Sequence, residues 1–451
     1  MNHINDIFFQ ATSPIQKPYK ELLHEIQEFC RINYTDAIVQ NSSKETEALL
    51  KEIIYKYIQE HKYVVENFNV KELADRIYED MAGYSFLKKW IYNEDIEEVN
   101  INAWNDIEVV YKGGKSVKIS DQFASPQHAV DVTRRMLSSC GMIIDDTMPS
   151  ALGHLDKNIR ISANKTPLVD SEVGISASIR KINQETISRE KLIASGGASP
   201  EMLDFLTYCI HYGVSICIAG PTNSGKTTLM AWLLSTIPNN YRLITIEDGS
   251  REFNLVKRDT QGNILNSVIH LITRHSENPV LDIDQDFLLE RVLRSHPHVI
   301  GIGEIRAAAE AMSVAEASRT GHTCITTIHA NNAESSYRRM MTLAKRKYNM
   351  DDSILMQIMV EAYPIVVYVK QLEDGSRKIM EIIEGEQYEK GNVQYRTLYH
   401  YEIKNNNRTA AGQIQIEGCH LKKECISKQL IKRLLDNGIS QRELLSIQGD
   451  G

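Results

Sequence analysis

Eight residues, Gly220-Pro221-Thr222-Asn223-Ser224-Gly225-Lys226-Thr227, constrain this chain more than any other stretch, and Thr228 follows them directly. They fit G-x-x-x-x-G-K-[ST], a pattern whose chemistry fixes its geometry. Gly220 and Gly225 let the backbone turn tightly, so that several N–H groups converge on one point. The helix expected from Lys226 aims its positive end at that same point. Lys226 is placed to reach the β- and γ-phosphates of a nucleotide, and the Thr227 hydroxyl to bind Mg²⁺. Four fixed positions recur by accident in roughly one per cent of chains this long. The context lowers that further, because the apolar run Ser215–Ala219 precedes the loop and TTLMAWLLS follows it.

A chain of 451 residues exceeds one ordinary core, so two or three domains are expected. Residues 1–82 read as a lead-in followed by a helical bundle. Leu49, Leu50, Ile53, Ile54, Tyr57 and Ile58 recur at helical spacing, and Asn69 with Glu72 makes a capping box for a helix through Met81. Over 83–183 short β-type runs at Val99–Ile101, Ile107–Tyr111, Ile159–Ser162 and Ile175–Ile179 flank a helix at Gln127–Ser139. This predicts a small α/β domain with an antiparallel sheet. Residues 184–200 are polar, with GG and SP near their end, and read as a hinge. From 201 to 451 apolar strands alternate with helices, which predicts an α/β domain on a parallel sheet.

Charge and cysteine usage narrow the function classes. The net charge of -8 gives no basic footprint for gathering nucleic-acid phosphates, so direct nucleic-acid binding is not expected. Seven cysteines lie scattered without a C-x-x-C pair, as buried thiols in a reducing compartment do. The opening residues show no apolar core behind a basic flank, and no run reaches the roughly 18 apolar residues of a membrane span. The expectation is a cytoplasmic protein that meets membranes through partners.

Downstream of the loop, Val299-Ile-Gly-Ile-Gly303-Glu304-Ile-Arg306 is an apolar strand ending in a carboxylate. At the C-terminal end of a strand beside the loop strand, Glu304 could orient an attacking water near Mg²⁺. By itself it reads equally as a surface residue. His322 and His329 bracket the run Thr323–Ile328, and taken alone they read as core or capping residues. Ile246-Glu247-Asp248, with Glu252, could be a solvated acidic turn.

Taken together and in this order, the segments resemble the secretion ATPase superfamily that powers type II and type IV secretion and type IV pili. GPTNSGKTT resembles its Walker A, IEDGSREF its acidic box, VIGIGEIR its atypical Walker B, and TGHTCITTIHAN its histidine box. The resemblance implies a RecA-like P-loop domain, with ATP and Mg²⁺ as ligands. It implies that Glu304 is the catalytic carboxylate and that Glu247 helps to place Mg²⁺ or water. His322 and His329 would sense the γ-phosphate, and Arg160 and Arg180 of the smaller domain would reach the nucleotide. Lys157-Asn158-Ile159 stands where the family has Gly-Ser before the first of these arginines. A homohexamer working on inner-membrane platform or secretion proteins is implied as well. The N-terminal helical extension, the segment GYSFLKKWIYNEDIEEVNINAWNDIEVVYKGG and the tail from Arg377 to Ile447 resemble the tight-adherence (Tad/Flp) pilus assembly ATPases. Ser85-Phe86, Ala103 and His298 depart from that group's pattern, and a conjugation-type secretion ATPase is the nearest rival.

Overall fold

The computed structural model describes residues 14–34, 44–112, 114–156, 158–181, 187–249, 251–274, 282–408 and 414–448. The chain divides into two units, Met1–Asn183 and Gln184–Gly451. Residues 1–13 and 35–43 of the N-terminal stretch, the first residues of the expected hinge, Gly113, Lys157 and Ser250 lie outside the described residues.

The first unit begins with β1 (Ile15–Gln16), α1 (Tyr19–Asn33), α2 (Lys44–Glu60), β2 (Tyr63–Val64) and α3 (Val70–Met81). Asn69 accepts from the Glu72 N–H and Glu72 answers to the Asn69 N–H, the reciprocal cap the spacing predicts. Leu22, Ile26, Leu50, Ile54, Ile58, Leu73 and Ile77 then meet in one small core.

Next come α4 (Leu87–Ile91), β3 (Ile96–Ala103), β4 (Asp106–Tyr111), β5 (Ser116–Ile119), α5 (Pro126–Ser139), β6 (Ser150–Asp156), β7 (Ile159–Lys165) and β8 (Ile175–Lys181). Ser125 caps α5 through the His128 N–H, with Pro126 in the first turn, where its missing N–H costs nothing. The strands form an antiparallel sheet in the order β5-β4-β3-β8-β7-β6. Every second residue of β7 is buried, so Ile159, Ile161 and Ala163 face the core.

The second unit carries α6 (Arg189–Ala194), α7 (Pro200–His211), β9 (Ile216–Ala219), α8 (Lys226–Ser235), β10 (Arg242–Glu247), β11 (Ser267–Ile272), α9 (Gln285–Leu293) and β12 (Val299–Ile302). It continues with α10 (Ala308–Arg319), β13 (Thr323–Ile328), α11 (Ala333–Lys345), α12 (Asp352–Ala362), β14 (Ile365–Gln371), β15 (Arg377–Glu389), β16 (Asn392–Arg408), β17 (Ile414–Lys422), α13 (Lys428–Asp436) and α14 (Gln441–Gln448). All nine strands join one sheet, ordered β11-β10-β12-β13-β9-β14-β15-β16-β17. The run from β11 to β14 is parallel, and β14 to β17 is an antiparallel meander. Two apolar cores lie on the sheet, one including α7 and α8, the other α10, α11 and α12. This is a RecA-like P-loop domain.

Two expectations need correcting. The strand that leads to Glu304, β12, does not lie beside the loop strand β9, because β13 is inserted between them. Within the segment read as a hinge, Ser188 caps α6, and Ile187, Leu192 and Ile193 pack on the core of the second unit. Polar composition concealed those three anchors. Lastly, the parallel sheet does not account for the whole domain, since β15 to β17 extend it with antiparallel strands.

Candidate active site

The phosphate loop starts from a strand buried along its whole length, and the Gly220 N–H donates to the Ile328 carbonyl at 3.2 Å, which ties its first residue to the end of β13. A Cβ on Gly220 would sit 2.3 Å from the Val369 carbonyl oxygen, so this position admits glycine alone. Asn223 and Gly225 both take left-handed backbone, at φ 61° and 95°. Ser224 is buried with its hydroxyl oxygen unpartnered, and Lys226, Thr227 and Thr228 form the first turn of α8. The Lys226 ammonium donates to the Gly220 and Pro221 carbonyls at 3.0 and 2.8 Å and lies 3.4 Å from Nδ1 of His329. Burial lowers the pKa of Lys226, while the charge of Glu304 opposes that shift.

Around the lysine the downstream motifs close into one network. His329 Nε2 stands 2.9 Å from Glu304 Oε1, although that oxygen is unpartnered when hydrogen-bond direction is required, so the contact is close but not aligned. An ammonium can only donate, so Nδ1 of His329 is the acceptor toward Lys226. On its other oxygen Glu304 accepts from Arg306 Nε at 2.9 Å, and the same guanidinium reaches Asp248 Oδ2 at 2.8 Å. The Thr327 hydroxyl donates to the Gly303 carbonyl at 2.7 Å, and the Ile305 N–H to the Thr327 carbonyl at 2.9 Å, which fixes the backbone on either side of Glu304. Lys226, His329, Glu304, Arg306 and Asp248 thus form a chain of alternating character. Beside it a cavity of about 590 Å³ is lined by Pro221, Thr222, His329, Asn331, Arg338 and Arg339, among others.

Two residues fall outside this network. His322 precedes the first residue of β13 and His329 follows the last, so the seven intervening steps of extended chain separate them by about 20 Å. His322 instead approaches the Pro297 carbonyl at 3.4 Å, so the fold of this unit does not bring the two histidines together. Glu247 is 1% exposed, and its carboxylate accepts from the Thr245 hydroxyl at 2.6 Å, the Phe253 N–H at 2.9 Å and the Glu252 N–H, with His270 Nδ1 at 2.9 Å. With those oxygens committed to folding the acidic loop, Asp248 is the carboxylate of that box that joins the network. Asp248 is itself held by the Thr273 hydroxyl at 2.8 Å.

Nothing in the sequence pattern around Arg306 or His270 marks either as part of the site. The fork at Arg306 becomes visible when β10 and β12, which are adjacent, bring residues 58 apart in the chain together. Arg160 and Arg180 belong to the first unit, where they stand directly opposite each other on β7 and β8. Glu98 faces Arg180 across β3, and His154 faces Arg160 across β6. Burial, and then the Arg160 charge, hold His154 below its usual range. Two cross-strand guanidinium groups repel unless an anion lies between them.

Among the described residues no group of three or more His, Cys, Asp or Glu side chains could hold a metal ion. Mg²⁺ asks for less, commonly one or two carboxylates with substrate phosphates and water. Thr227 and Glu304, together with the unpartnered oxygens of Ser224 and Glu304, are the groups that would hold a magnesium–nucleotide pair.

Residues 145–423 match the family described as Type II/IV secretion system protein. The chain belongs to this family. Among similar proteins, an uncharacterized protein of Methanocaldococcus jannaschii is 26% identical over 401 residues, covering 88% of this chain and 70% of that protein. The type IV secretion system protein VirB11 of Bartonella quintana is 23% identical over 359 residues, covering 78% and 94%. Among solved structures, the ATPase DotB of Legionella pneumophila is 18% identical with a TM-score of 0.46, over 63% of this chain and 75% of that one.

Proposed function

We propose that this secretion-family chain is an ATP-hydrolysing motor that works on membrane-embedded partners from the cytoplasmic face. The observation that carries the reading is the network in which Lys226, rooted in the phosphate loop, joins His329, Glu304, Arg306 and Asp248. ATP is the substrate, held by the backbone and side chains of 220–228. Glu304 orients the water that attacks the γ-phosphate in line, because its carboxylate is oriented by Arg306 on one oxygen and faced by Nε2 of His329 at the other. Lys226 swings on its flexible stem from the loop carbonyls to the phosphate oxygens. Mg²⁺, when bound through Thr227 and Glu304, supplies charge neutralisation of those oxygens. Loss of the γ-phosphate changes the charge met by Lys226 and His329.

The working form in this reading is a homohexamer. The helical extension, the 83–114 segment and the tail from Arg377 support the tight-adherence pilus reading. The likeness to VirB11 over 94% of that protein favours a conjugation-type secretion ATPase as the second reading. The deciding experiment is phosphate release with nucleotide binding measured alongside. Lys226→Ala loses both, whereas Glu304→Gln keeps binding and loses turnover; normal turnover in either variant removes the assignment. Stimulation of turnover by added DNA or RNA would point instead to a nucleic-acid motor.

A further inference from the structure

Three consecutive residues at the start of β15 hold two distant pieces of backbone at once. Arg377 donates from Nε to the Asn223 carbonyl and from an Nη to the Asn223 side-chain oxygen, both at 3.0 Å. The Asn223 amide in turn donates to Gln371 at 3.3 Å, so both ends of the β14–β15 hairpin grip this one residue of the phosphate loop. Its neighbours face the other way. The Lys378 ammonium donates to the Ser195 carbonyl and the Ile379 N–H to the Gly197 carbonyl, each at 2.8 Å. Ser195 and Gly197 lie in the segment that enters the second unit from the first. Lys378 is buried, and burial lowers its pKa. A Cβ on Gly197 would press on the Arg377 carbonyl at 3.2 Å, and one on Gly225 would meet the Arg377 side chain at 3.1 Å.

Asn223 sits at φ 61°, a region that costs an L-residue energy unless its surroundings hold it there. We propose that Arg377 is a positioning residue that holds Asn223 in this turn and so presets the N–H groups of the phosphate loop, while Lys378 and Ile379 link that hold to the entering segment at Ser195–Gly197. Movement of the entering segment is thereby converted into a change of nucleotide affinity. Glycine adopts left-handed backbone without support, so the proposal has a specific rescue.

The inference rests on the reading of 220–228 as the nucleotide loop, and the test separates the two. Michaelis constants for ATP and dissociation constants for a fluorescent ATP analogue are measured on the full chain. Arg377→Ala raises both about tenfold, the scale of one lost charge-assisted hydrogen bond, with kcat changed far less. Asn223→Gly placed in the Arg377→Ala background restores most of the affinity. Gly197→Val, acting from the entering segment, raises KM in the same direction. An unchanged KM in Arg377→Ala, or a loss that Asn223→Gly fails to recover, overturns the role of Arg377. An unchanged KM in Gly197→Val overturns the link to the entering segment. Lys226→Ala serves as the control: if it loses nucleotide while Arg377→Ala does not, this inference alone falls, and if it binds as the wild type does, the nucleotide reading falls with it.

Discussion

Gly220 and Gly303 look equally required in the sequence, each standing at the end of an apolar strand before a functional residue, yet the structure separates them. A methyl group on Gly220 would lie 2.3 Å from the Val369 carbonyl and 2.7 Å from the Ser224 hydroxyl. Val369 belongs to β14, which pairs with β9 on one side and β15 on the other, so its carbonyl has little freedom to yield. Optimal contact lies at roughly 3.5 Å, so the loop must retreat by about 1 Å. Overpacking of this kind costs about 1–3 kcal/mol, which for a unit of this size lowers Tm by roughly 2–4 °C per kcal/mol. Binding suffers more. The displaced loop loses one or two charge-assisted N–H contacts to phosphate at about 1.5–3 kcal/mol each, a weakening of about tenfold to about twenty-thousandfold. On Gly303 the same methyl group would find the Ile246 carbonyl at 3.6 Å and the Glu247 Cα at 3.8 Å, both ordinary contacts, and its φ is not positive. Nucleotide titration and thermal melts of Gly220→Ala and Gly303→Ala decide the matter. Gly220→Ala should lose binding and melt lower, while Gly303→Ala stays within about 0.5 kcal/mol of the wild type in both. Equal losses, or the reverse order, would refute the steric reasoning.

Two further outcomes are expected. His329→Ala should lower kcat by about tenfold or more through its contact with Glu304, whereas His322→Ala should stay within about twofold of the wild-type ATPase rate because it lies about 20 Å away. A comparable loss in both would show that the ends of β13 are not functionally distinct. Glu25 on α1 is held down to about 2 by Lys17, with the hydroxyls of Tyr63 and Tyr57 assisting and burial opposing. Since this lies below its unfolded value of 4.5, its stabilisation is present above that pH and disappears as pH falls toward 2. Urea unfolding of Glu25→Gln should therefore show a deficit of about 1 kcal/mol at pH 7 that shrinks by pH 3, discounted for partial exposure; a constant deficit at both pH values would refute the linkage.

The phosphate loop was legible because its demands are local: a backbone that must turn, converge N–H groups and begin a helix leaves few residue choices at fixed spacing. The α3 cap and the alternation of β7 were legible for the same reason. Arg306 was not, because its value depends on which acid β10 delivers beside β12. Glu247 and Asp248 are adjacent in sequence, and only the folded strand shows that the former is the last buried residue of β10 while the latter emerges beyond it. The separation of the two histidines could have been worked out from seven steps of strand, but the pattern of the box drew them together. The antiparallel strands β15 to β17 escaped notice since the mixed run Arg377–Glu389 has neither clean alternation nor a continuous apolar core.

The strand beneath the phosphate loop is the fifth of nine, bonded along both sides. A strand bonded on both flanks cannot shift alone: a tug on the rim of the sheet is shared among four neighbours on either side before it arrives at β9, and backbone amide exchange along Ile216–Ala219 is expected to be among the slowest in the unit.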